Sequence, residues 1–291
     1  MIDVDLALSR FVGGVDAEGL RALGVVVRVG DQQRQHRWRN DGRTNIYSVS
    51  KGVSVLAAGL AFDEGLLTPD SRVGQLLPAA SLGADVDGVT IEHLLSMTSG
   101  IDFPWFEGDP WPEADLAHAV LSTPSRGPGL VFQYSDASTY VAMRMLGAIV
   151  GDVRDWLIPR LFTPLGIDDP EWHRCPHGWI IAGSGLELRT EELARVGRLL
   201  RDRGMWNGRQ LISAQRIDRM HSSWIDTGGP APFTRYGSAG WDGPRDCWRL
   251  DGARGQYVVV DAARDAVITI TADEPERDHR LAELAADALL G

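Results

Sequence analysis

A serine and a lysine three residues apart, Ser48 and Lys51, have the types and spacing of a catalytic pair. The 291-residue chain carries 29 basic side chains, and Lys51 is its only lysine. A lysine can lose its proton when buried, whereas an arginine effectively cannot. We therefore interpret Lys51 as the base that deprotonates Ser48 and makes it a nucleophile. Ser48 as a helix N-cap and Lys51 as a solvated helix residue remain the alternative.

A helix must position this pair. From Ser48 onward, apolar residues recur at helical spacing until Gly65 ends the pattern. Ser48 is thus predicted at a helix N-terminus, with Lys51 one turn later on the same face. A backbone N–H at such a terminus would supply half of an oxyanion hole.

A tyrosine provides the second chemical element. Tyr134 lies in the segment Phe-Gln-Tyr-Ser-Asp, at the predicted start of a helix over residues 136–150. Its phenol could share a proton with Ser48 and Lys51. The alternative is a packed tyrosine whose hydroxyl is satisfied by other groups.

A glycine-rich segment, residues 250–256, precedes a predicted strand at residues 257–260. Glycines there would let a substrate lie against a sheet edge, and a backbone N–H could complete the oxyanion hole. An ordinary turn before a strand remains possible at this stage.

Composition and charge limit the classes of binding partner and the cellular location that we expect. A net charge of −11 argues against nucleic acid or an anionic membrane. Two cysteines form no disulfide framework, and neither a secretory signal nor an 18-residue apolar run is present, so a cytoplasmic location is predicted. Four of the ten tryptophans fall in loop-like segments, where they either line an apolar pocket or simply pack: Trp105, Trp111, Trp224 and Trp241.

Periodicity predicts an α/β (α+β) fold. Strands are expected near both ends of the chain, at residues 24–30 with a hairpin partner to 38, and at 247–250, 256–260 and 266–271. A short amphipathic helix is expected near residues 3–12, the middle has helical patterns, and a helix over about 276–290 closes the chain. We predict one antiparallel sheet domain from residues 1–65 and 226–291, with a mostly helical insertion at 66–225, together forming one catalytic unit.

The order and spacing of these motifs resemble the penicillin-recognising serine hydrolases, a β-lactamase/transpeptidase-like family. The motifs are Ser-x-x-Lys at 48, Tyr-x-Asp at 134 and the Gly-rich strand entry at 250. The resemblance is closest to the class C β-lactamase-like branch, which includes esterases and 6-aminohexanoate-dimer hydrolases. Residues 93–101, 183–195, 240–241 and 255–257 are similar to further segments of that branch, so the resemblance spans about residues 24–275.

The resemblance implies two-step acyl transfer to water on a small ester or amide, with no metal or cofactor. Ser48 would be the acylated nucleophile, and Lys51 and Tyr134 the proton-handling pair. The implied fold places the site between the sheet domain and the helical domain.

The resemblance also implies the binding groups. The backbone N–H groups of Ser48 and Ala253 would form the oxyanion hole, with Gly252 in the same substrate-binding segment. Asp136 would orient Lys51 or the substrate amide.

Two positions depart from the family pattern. Asp136 stands where the branch often has asparagine, and a carboxylate there favours a charged lysine and shifts more of the base role to Tyr134. Leu250 stands where β-lactamases and cell-wall peptidases have the lysine or histidine that meets a substrate carboxylate. β-Lactams and cell-wall peptides are therefore poor candidates, unless Arg249 or Arg254 substitutes for that cation, which strand geometry decides.

Three other interpretations remain open. The first is a β-lactamase or D-Ala-D-Ala peptidase activity. The second is a binding module with a degraded site. The third is a zinc site at residues 173–177, which contain two histidines and a cysteine but no second ligand pair. The Gly-x-Ser-x-Gly and His-Glu-x-x-His motifs are absent from the sequence.

Overall fold

A large antiparallel sheet dominates the computed structural model of the protein, which describes residues 2–77, 81–105 and 115–290. The strands in this part of the chain are β1 (Ala22–Val29), β2 (Gln32–Arg37), β3 (Thr44–Asn45), β4 (Glu187–Leu188), β5 (Met205–Trp206), β6 (Arg209–Gln210), β7 (Ile225–Asp226), β8 (Arg235–Tyr236), β9 (Trp241–Asp242), β10 (Trp248–Gly252), β11 (Gln256–Asp261) and β12 (Ala266–Ala272). Eight of them form the sheet in the order β2-β1-β12-β11-β10-β9-β8-β7. Two small ribbons, β3-β4 and β5-β6, lie outside it.

Helices cover both faces of the sheet and build the rest of the molecule. They are α1 (Val4–Glu18), α2 (Ser50–Asp63), α3 (Val73–Leu76), α4 (Ile91–Leu95), α5 (Leu116–Ser122), α6 (Asp136–Val150), α7 (Val153–Leu157), which continues as a π turn (Ile158–Phe162), α8 (Thr190–Arg201), α9 (Ala214–Arg219) and α10 (Asp278–Ala288). None of these described helices is both long enough and apolar enough to cross a lipid bilayer.

Alternation along the central strands separates two cores, because successive side chains point to opposite faces of a sheet. On one face, Val25 and Val27 of β1 and Val259 of β11 pack with α1 and α10. On the other face, Val258 and Val260 join a larger core that includes α2, α6 and α8. The central strands are therefore buried on both sides.

The predicted sheet from both termini is confirmed: β1 pairs with β12, and β12 pairs with β11. Helix α8 lies within residues 66–225, yet it packs on β1, β11 and β12. The boundaries of a separate insertion domain therefore stay a prediction.

Helix α1 is longer than the prediction of residues 3–12. It begins after Asp3, whose carboxylate accepts N–H bonds from the first turn, and ends at Gly19 in the left-handed conformation with a φ of 63°. It continues through Gly13 and Gly14 because tertiary packing outweighs their low helix propensity. A Cβ on Gly14 would lie 2.7 Å from Leu284 Cδ2, so the glycine lets α10 approach closely.

Two glycines let α2 and the turn before it rest directly on β10. A Cβ on Gly52 would lie 2.5 Å from Leu250 Cδ1. A Cβ on Gly252 would lie 2.6 Å from the carbonyl oxygen of Ile46. The start of α2 is thus set closely against the end of β10, and at Gly252 the near atom is a backbone oxygen that leaves no room for a larger residue.

We predict that Gly252→Ala lowers the free energy of unfolding by about 1–3 kcal/mol, because the added methyl meets a backbone oxygen that cannot rotate away. Urea unfolding followed by circular dichroism measures this change. Gly13→Ala is the control: nothing lies within 4 Å of its added Cβ. That helical substitution should leave stability unchanged or raise it by up to about 1 kcal/mol. Equal behaviour of the two variants would contradict the close approach.

Candidate active site

Ser48 lies on a tight turn that is tied to a neighbouring loop. A single 3-10 turn (Tyr47–Val49) precedes α2, and Tyr47 adopts a φ of 46°, a conformation that non-glycine residues rarely take. The Asn45 side-chain oxygen accepts the N–H of Tyr47 at 2.7 Å and that of Gly185 at 3.1 Å. These bonds hold Ser48 at the start of α2, as predicted. Its side chain does not cap that helix.

Lys51 is buried, with 2% of its surface exposed, which excludes a solvated helix residue. Its Nζ donates to Ser48 Oγ at 2.9 Å and to the Gly183 carbonyl at 3.0 Å, and it forms a short ion pair with Asp136. An ammonium has three protons to donate. Each of them therefore has an acceptor, one of which is the hydroxyl of Ser48.

Asp136 reaches Lys51 from the first turn of α6. Ser135 caps this helix, accepting the N–H of Ala137 at 3.0 Å. A Cβ on Gly183 would lie 2.8 Å from the Asp136 carboxyl carbon, so only glycine lets its carbonyl reach Lys51 beside that carboxylate. Gly183 lies in one of the segments that resemble the related branch, but its role was not predicted from the sequence.

Tyr134 lies beside the same ammonium. The Lys51 Nζ is 4.6 Å from the centroid of the tyrosine ring, a cation–π distance. Burial raises the pKa of Tyr134 far above its usual value, and the Asp136 carboxylate raises it further, while a hydrogen bond with Ser48 lowers it. Since raising the pKa of a phenol favours its neutral form, Tyr134 is a phenol and not a phenolate at neutral pH.

An open cleft of about 390 Å³ leads to Ser48. The cleft follows the end of β10. Strand β9 pairs with Trp248 and Arg249 of β10, and no described strand pairs with this edge of β10 after Arg249. The residues that line it are Ser48, Tyr134, Phe233, Trp241, Asp251, Ala253 and Asp278. The structure thus brings Ser48, Tyr134 and Ala253 to one cleft, with Lys51 and Asp136 buried behind them.

Three of these lining residues were missed from the sequence: Phe233, Asp251 and Asp278. Asp251 stood within the quoted Gly-rich segment, so its position was visible but its orientation was not. No sequence signal marks the other two, because they come from a loop and from the start of α10.

The arginines beside Leu250 do not supply the missing cation. Leu250 is buried against Gly52. The Arg249 guanidinium, with 1% of its side chain exposed, donates to Asp251 at 2.9 Å and to three backbone carbonyls. Arg254 pairs with Asp273 at the surface. Neither arginine lines the cleft.

Of the four tryptophans considered for the pocket, Trp241 lines the cleft. Trp105 is buried against Tyr140, and Trp224 packs against the larger core. Trp111 lies outside the described residues. Packing is therefore the role of two of the three described tryptophans.

The proposed zinc ligands do not converge. His173 Nε2 lies 3.0 Å from Glu187, while Cys175 is buried beside the hydroxyl of Tyr140. Within residues 2–77, 81–105 and 115–290, no group of three or more His, Cys, Asp or Glu side chains is arranged to hold a metal ion.

Comparison with known proteins agrees with this geometry. The chain is 24% identical over 269 residues to the 6-aminohexanoate-dimer hydrolase of Paenarthrobacter ureafaciens, a match that covers 82% of this chain and 68% of that protein. The structure superimposes on a penicillin-binding protein homologue from Caulobacter crescentus with a TM-score of 0.78 and 20% identity, covering 99% of this chain and 97% of the other. It also superimposes on a family VIII carboxylesterase with a TM-score of 0.77 and 16% identity, covering 98% and 97%.

At these identities, the two solved structures establish the fold alone. Membership of a family is shown by the sequence, because the model of the family described as Beta-lactamase matches residues 12–290. The resemblance predicted from the motifs is thereby confirmed, and this protein belongs to the Beta-lactamase family.

Proposed function

We propose that this protein is a serine hydrolase that forms an acyl-enzyme on Ser48 and cleaves a small ester or amide. The observation that carries the proposal is the 2.9 Å contact between Ser48 Oγ and the buried Lys51 Nζ at an open cleft. A weak nucleophile becomes reactive when a positioned base removes its proton. The names of the relatives, a 6-aminohexanoate-dimer hydrolase and a carboxylesterase, support cleavage of amide and ester bonds.

The buried carboxylate decides how the proton moves. Lys51 Nζ already donates to Ser48, to the Gly183 carbonyl and to Asp136, so it can take the proton of Ser48 only as it gives another proton up. The aspartate at position 136 predicted a larger base role for Tyr134, but the raised pKa of Tyr134 works against a phenolate. We infer that Lys51 passes one proton to Asp136 as it takes the proton of Ser48, so that Asp136 stores the proton.

Atoms and charge balance in this step. The Ser48 Oγ–carbon bond forms, the Ser48 proton moves to Lys51 Nζ, and a Lys51 proton moves to the Asp136 carboxylate. The negative charge passes to the substrate carbonyl oxygen. When the C–O or C–N bond breaks, the stored proton returns through Lys51 to the leaving atom, and Tyr134 donates a hydrogen bond there.

The remaining steps use the same groups. The backbone N–H groups of Ser48 and Ala253 hold the oxyanion, supported by the place of both residues at the cleft. Gly252 keeps the end of β10 close to the Ser48 turn. A water molecule then attacks the acyl-enzyme and gives its proton to the Lys51–Asp136 pair, and Ser48 recovers a proton as the acid leaves.

A cytoplasmic location and a small-molecule substrate complete the proposal. Cys175 and Cys247 are both unpaired and buried, which fits a reducing compartment. The burial of the Lys51–Asp136 pair fits a site reached by small molecules through the cleft.

Covalent labelling tests the nucleophile. A fluorophosphonate should add one adduct to the folded protein, located on Ser48 by intact-mass and peptide mass spectrometry. Ser48→Ala should give no adduct, while the exposed-serine control Ser223→Ala should label fully. A folded wild-type protein without an adduct, and without a burst on p-nitrophenyl esters, would identify a binding module with a degraded site.

Two substitutions test the proton path. Lys51→Arg keeps the charge but cannot cycle a proton, so kcat/KM should fall by about 10²–10⁴-fold. Asp136→Asn keeps the shape but has no carboxylate to take up a proton, so kcat should fall by at least about tenfold. Initial rates on a p-nitrophenyl ester measure both. Full activity of Asp136→Asn would show that Asp136 does not accept the proton, and Tyr134 would then be the next candidate acceptor.

A double-mutant cycle tests the ion pair. Lys51→Met and Asp136→Ala should each cost about 3–5 kcal/mol of stability, because each leaves a buried charge without its partner. The double variant should lose less than the sum, by at least about 1 kcal/mol. Urea unfolding measures all three. The exposed pair Arg203–Asp218 is the control, and its coupling should be far weaker than that of the buried pair. Additive losses at Lys51 and Asp136 would refute the coupling.

A further inference from the structure

A groove lined by α8 and the β5-β6 ribbon is separate from the candidate active-site cleft. Its volume is about 390 Å³, and none of the described residues that line it also lines that cleft. Three arginines line it, Arg28 of β1 and Arg195 and Arg198 of α8. The one acid among its described lining residues is Glu191, which pairs with Arg37 at 2.6 Å. The groove is therefore basic, in a chain whose net charge is −11.

The packing of α8 brings the three arginines together. Arg195 and Arg198 are three residues apart in α8, a spacing that places their Cβ atoms about 5–6 Å apart on one face of a helix. Helix α8 also packs on β1, the strand that carries Arg28. The guanidinium carbon of Arg198 lies 4.3 Å from the ring centroid of Trp206, which lines the same groove.

Repulsion between like charges is evident at Arg28. Burial lowers the pKa of Arg28, and the positive charges of Arg198 and Arg201 lower it further, while Asp202 and Asp31 raise it. The nearby acids therefore do not fully offset the crowding of guanidiniums, and an anion bound among them would relieve their repulsion.

Two of the three guanidiniums have no acidic partner. Among the ion pairs of the described residues, none involves Arg28 or Arg195. Arg28 Nη1 donates to the Gln33 side-chain oxygen at 3.2 Å, and Arg195 Nη1 donates to the carbonyls of Leu165 and Gly166. Since a guanidinium has five N–H donors, most donors on these two side chains have no acceptor in the described part of the chain. Two positive charges are thus left uncompensated.

Buried nitrogens of the same groove also have no acceptor. Arg28 Nε and Trp206 Nε1 are closed off from solvent, and neither has a hydrogen-bond partner among the residues that the structure describes. The Trp206 residue as a whole is 9% exposed. A buried donor without an acceptor is destabilising. Because these nitrogens are donors, like the free nitrogens of the guanidiniums, the groove lacks an acceptor and not a donor.

We propose that this groove binds a small organic phosphate monoester, whose phosphate lies among the three arginines and whose organic part contacts Leu165 and Trp206. This inference goes beyond the proposed function and does not depend on it. A phosphate monoester carries about −1.5 to −2 charges at pH 7 and three strong acceptor oxygens, which match two uncompensated guanidiniums. A carboxylate would bring one charge and two oxygens. Guanidinium groups also fit phosphate oxygens in bidentate pairs.

Three matched anions test the ligand class. Phenyl phosphate carries the dianion on an aromatic ring, phenyl sulfate keeps the ring with a single charge, and inorganic phosphate lacks the ring. Calorimetry at low salt gives the Kd of each. We expect phenyl phosphate to bind at least about fivefold more tightly than either of the others. Absence of binding at millimolar phenyl phosphate, or equal affinity for phenyl sulfate, would overturn the phosphate site. Equal affinity for inorganic phosphate would overturn the organic ligand.

An isosteric pair of variants locates the site. Gln33→Glu places a carboxylate beside Arg28 without changing the side-chain shape, so it should raise the Kd for phenyl phosphate by at least about tenfold. Gln32→Glu makes the same charge change at the next residue of β2, whose side chain points to the opposite face, and should leave the Kd unchanged. Equal Kd values for the two variants would refute the location.

Arginine variants and the nucleophile variant complete the test. Arg195→Gln and Arg198→Gln should each weaken phenyl phosphate binding at least about fivefold, with folding checked by circular dichroism. Arg245→Gln removes the same charge from a surface pair with Asp287 and should bind normally. Ser48→Ala should also bind as the wild type does, so the result stands whether or not the protein hydrolyses esters. An equal loss of binding in Arg245→Gln would reveal non-specific attraction and overturn the site.

Discussion

The buried ion pair between Lys51 and Asp136 is the interaction on which the rest of this site depends. Removing two charges from water costs several kcal/mol per ion, on the order of the stability of a whole domain, unless close partners compensate. Here the compensation comes from different parts of the chain: α2 supplies Lys51, α6 supplies Asp136, and a loop supplies the carbonyl of Gly183. The pair therefore requires these three segments to be together before it can be buried.

Small residues and one side-chain amide make that convergence possible. Gly183 admits the carboxylate, Gly52 and Gly252 admit β10, and Asn45 holds the strained turn at Tyr47. The turn stores backbone strain next to Ser48, and the surrounding hydrogen bonds keep it in place. Positioning of Ser48 is thus a property of the packing of several segments and not of α2 alone.

Sequence patterns predicted those features of the fold and the site that depend on residues close together in the chain. Helical spacing placed Ser48 and Lys51 on one face, and alternation identified β1, β10, β11 and β12. Contacts between distant segments could not be predicted, since periodicity says nothing about which faces meet. The carbonyl of Gly183, the inward turn of Arg249 and the position of Asp251 and Asp278 at one cleft are all of this kind. The extension of α1 through Gly14 has the same cause, because Leu284 of a distant helix decides it.

The two sides of the cleft differ in burial. Lys51 and Asp136 lie on the buried side, behind Ser48, where solvent does not screen their attraction. Asp251 and Asp278 border the open cleft, at the end of β10 and the start of α10. Leu250 fills the place of a cation with apolar contact to Gly52. The residues at the open end of β10 can therefore differ without disturbing the Lys51–Asp136 pair.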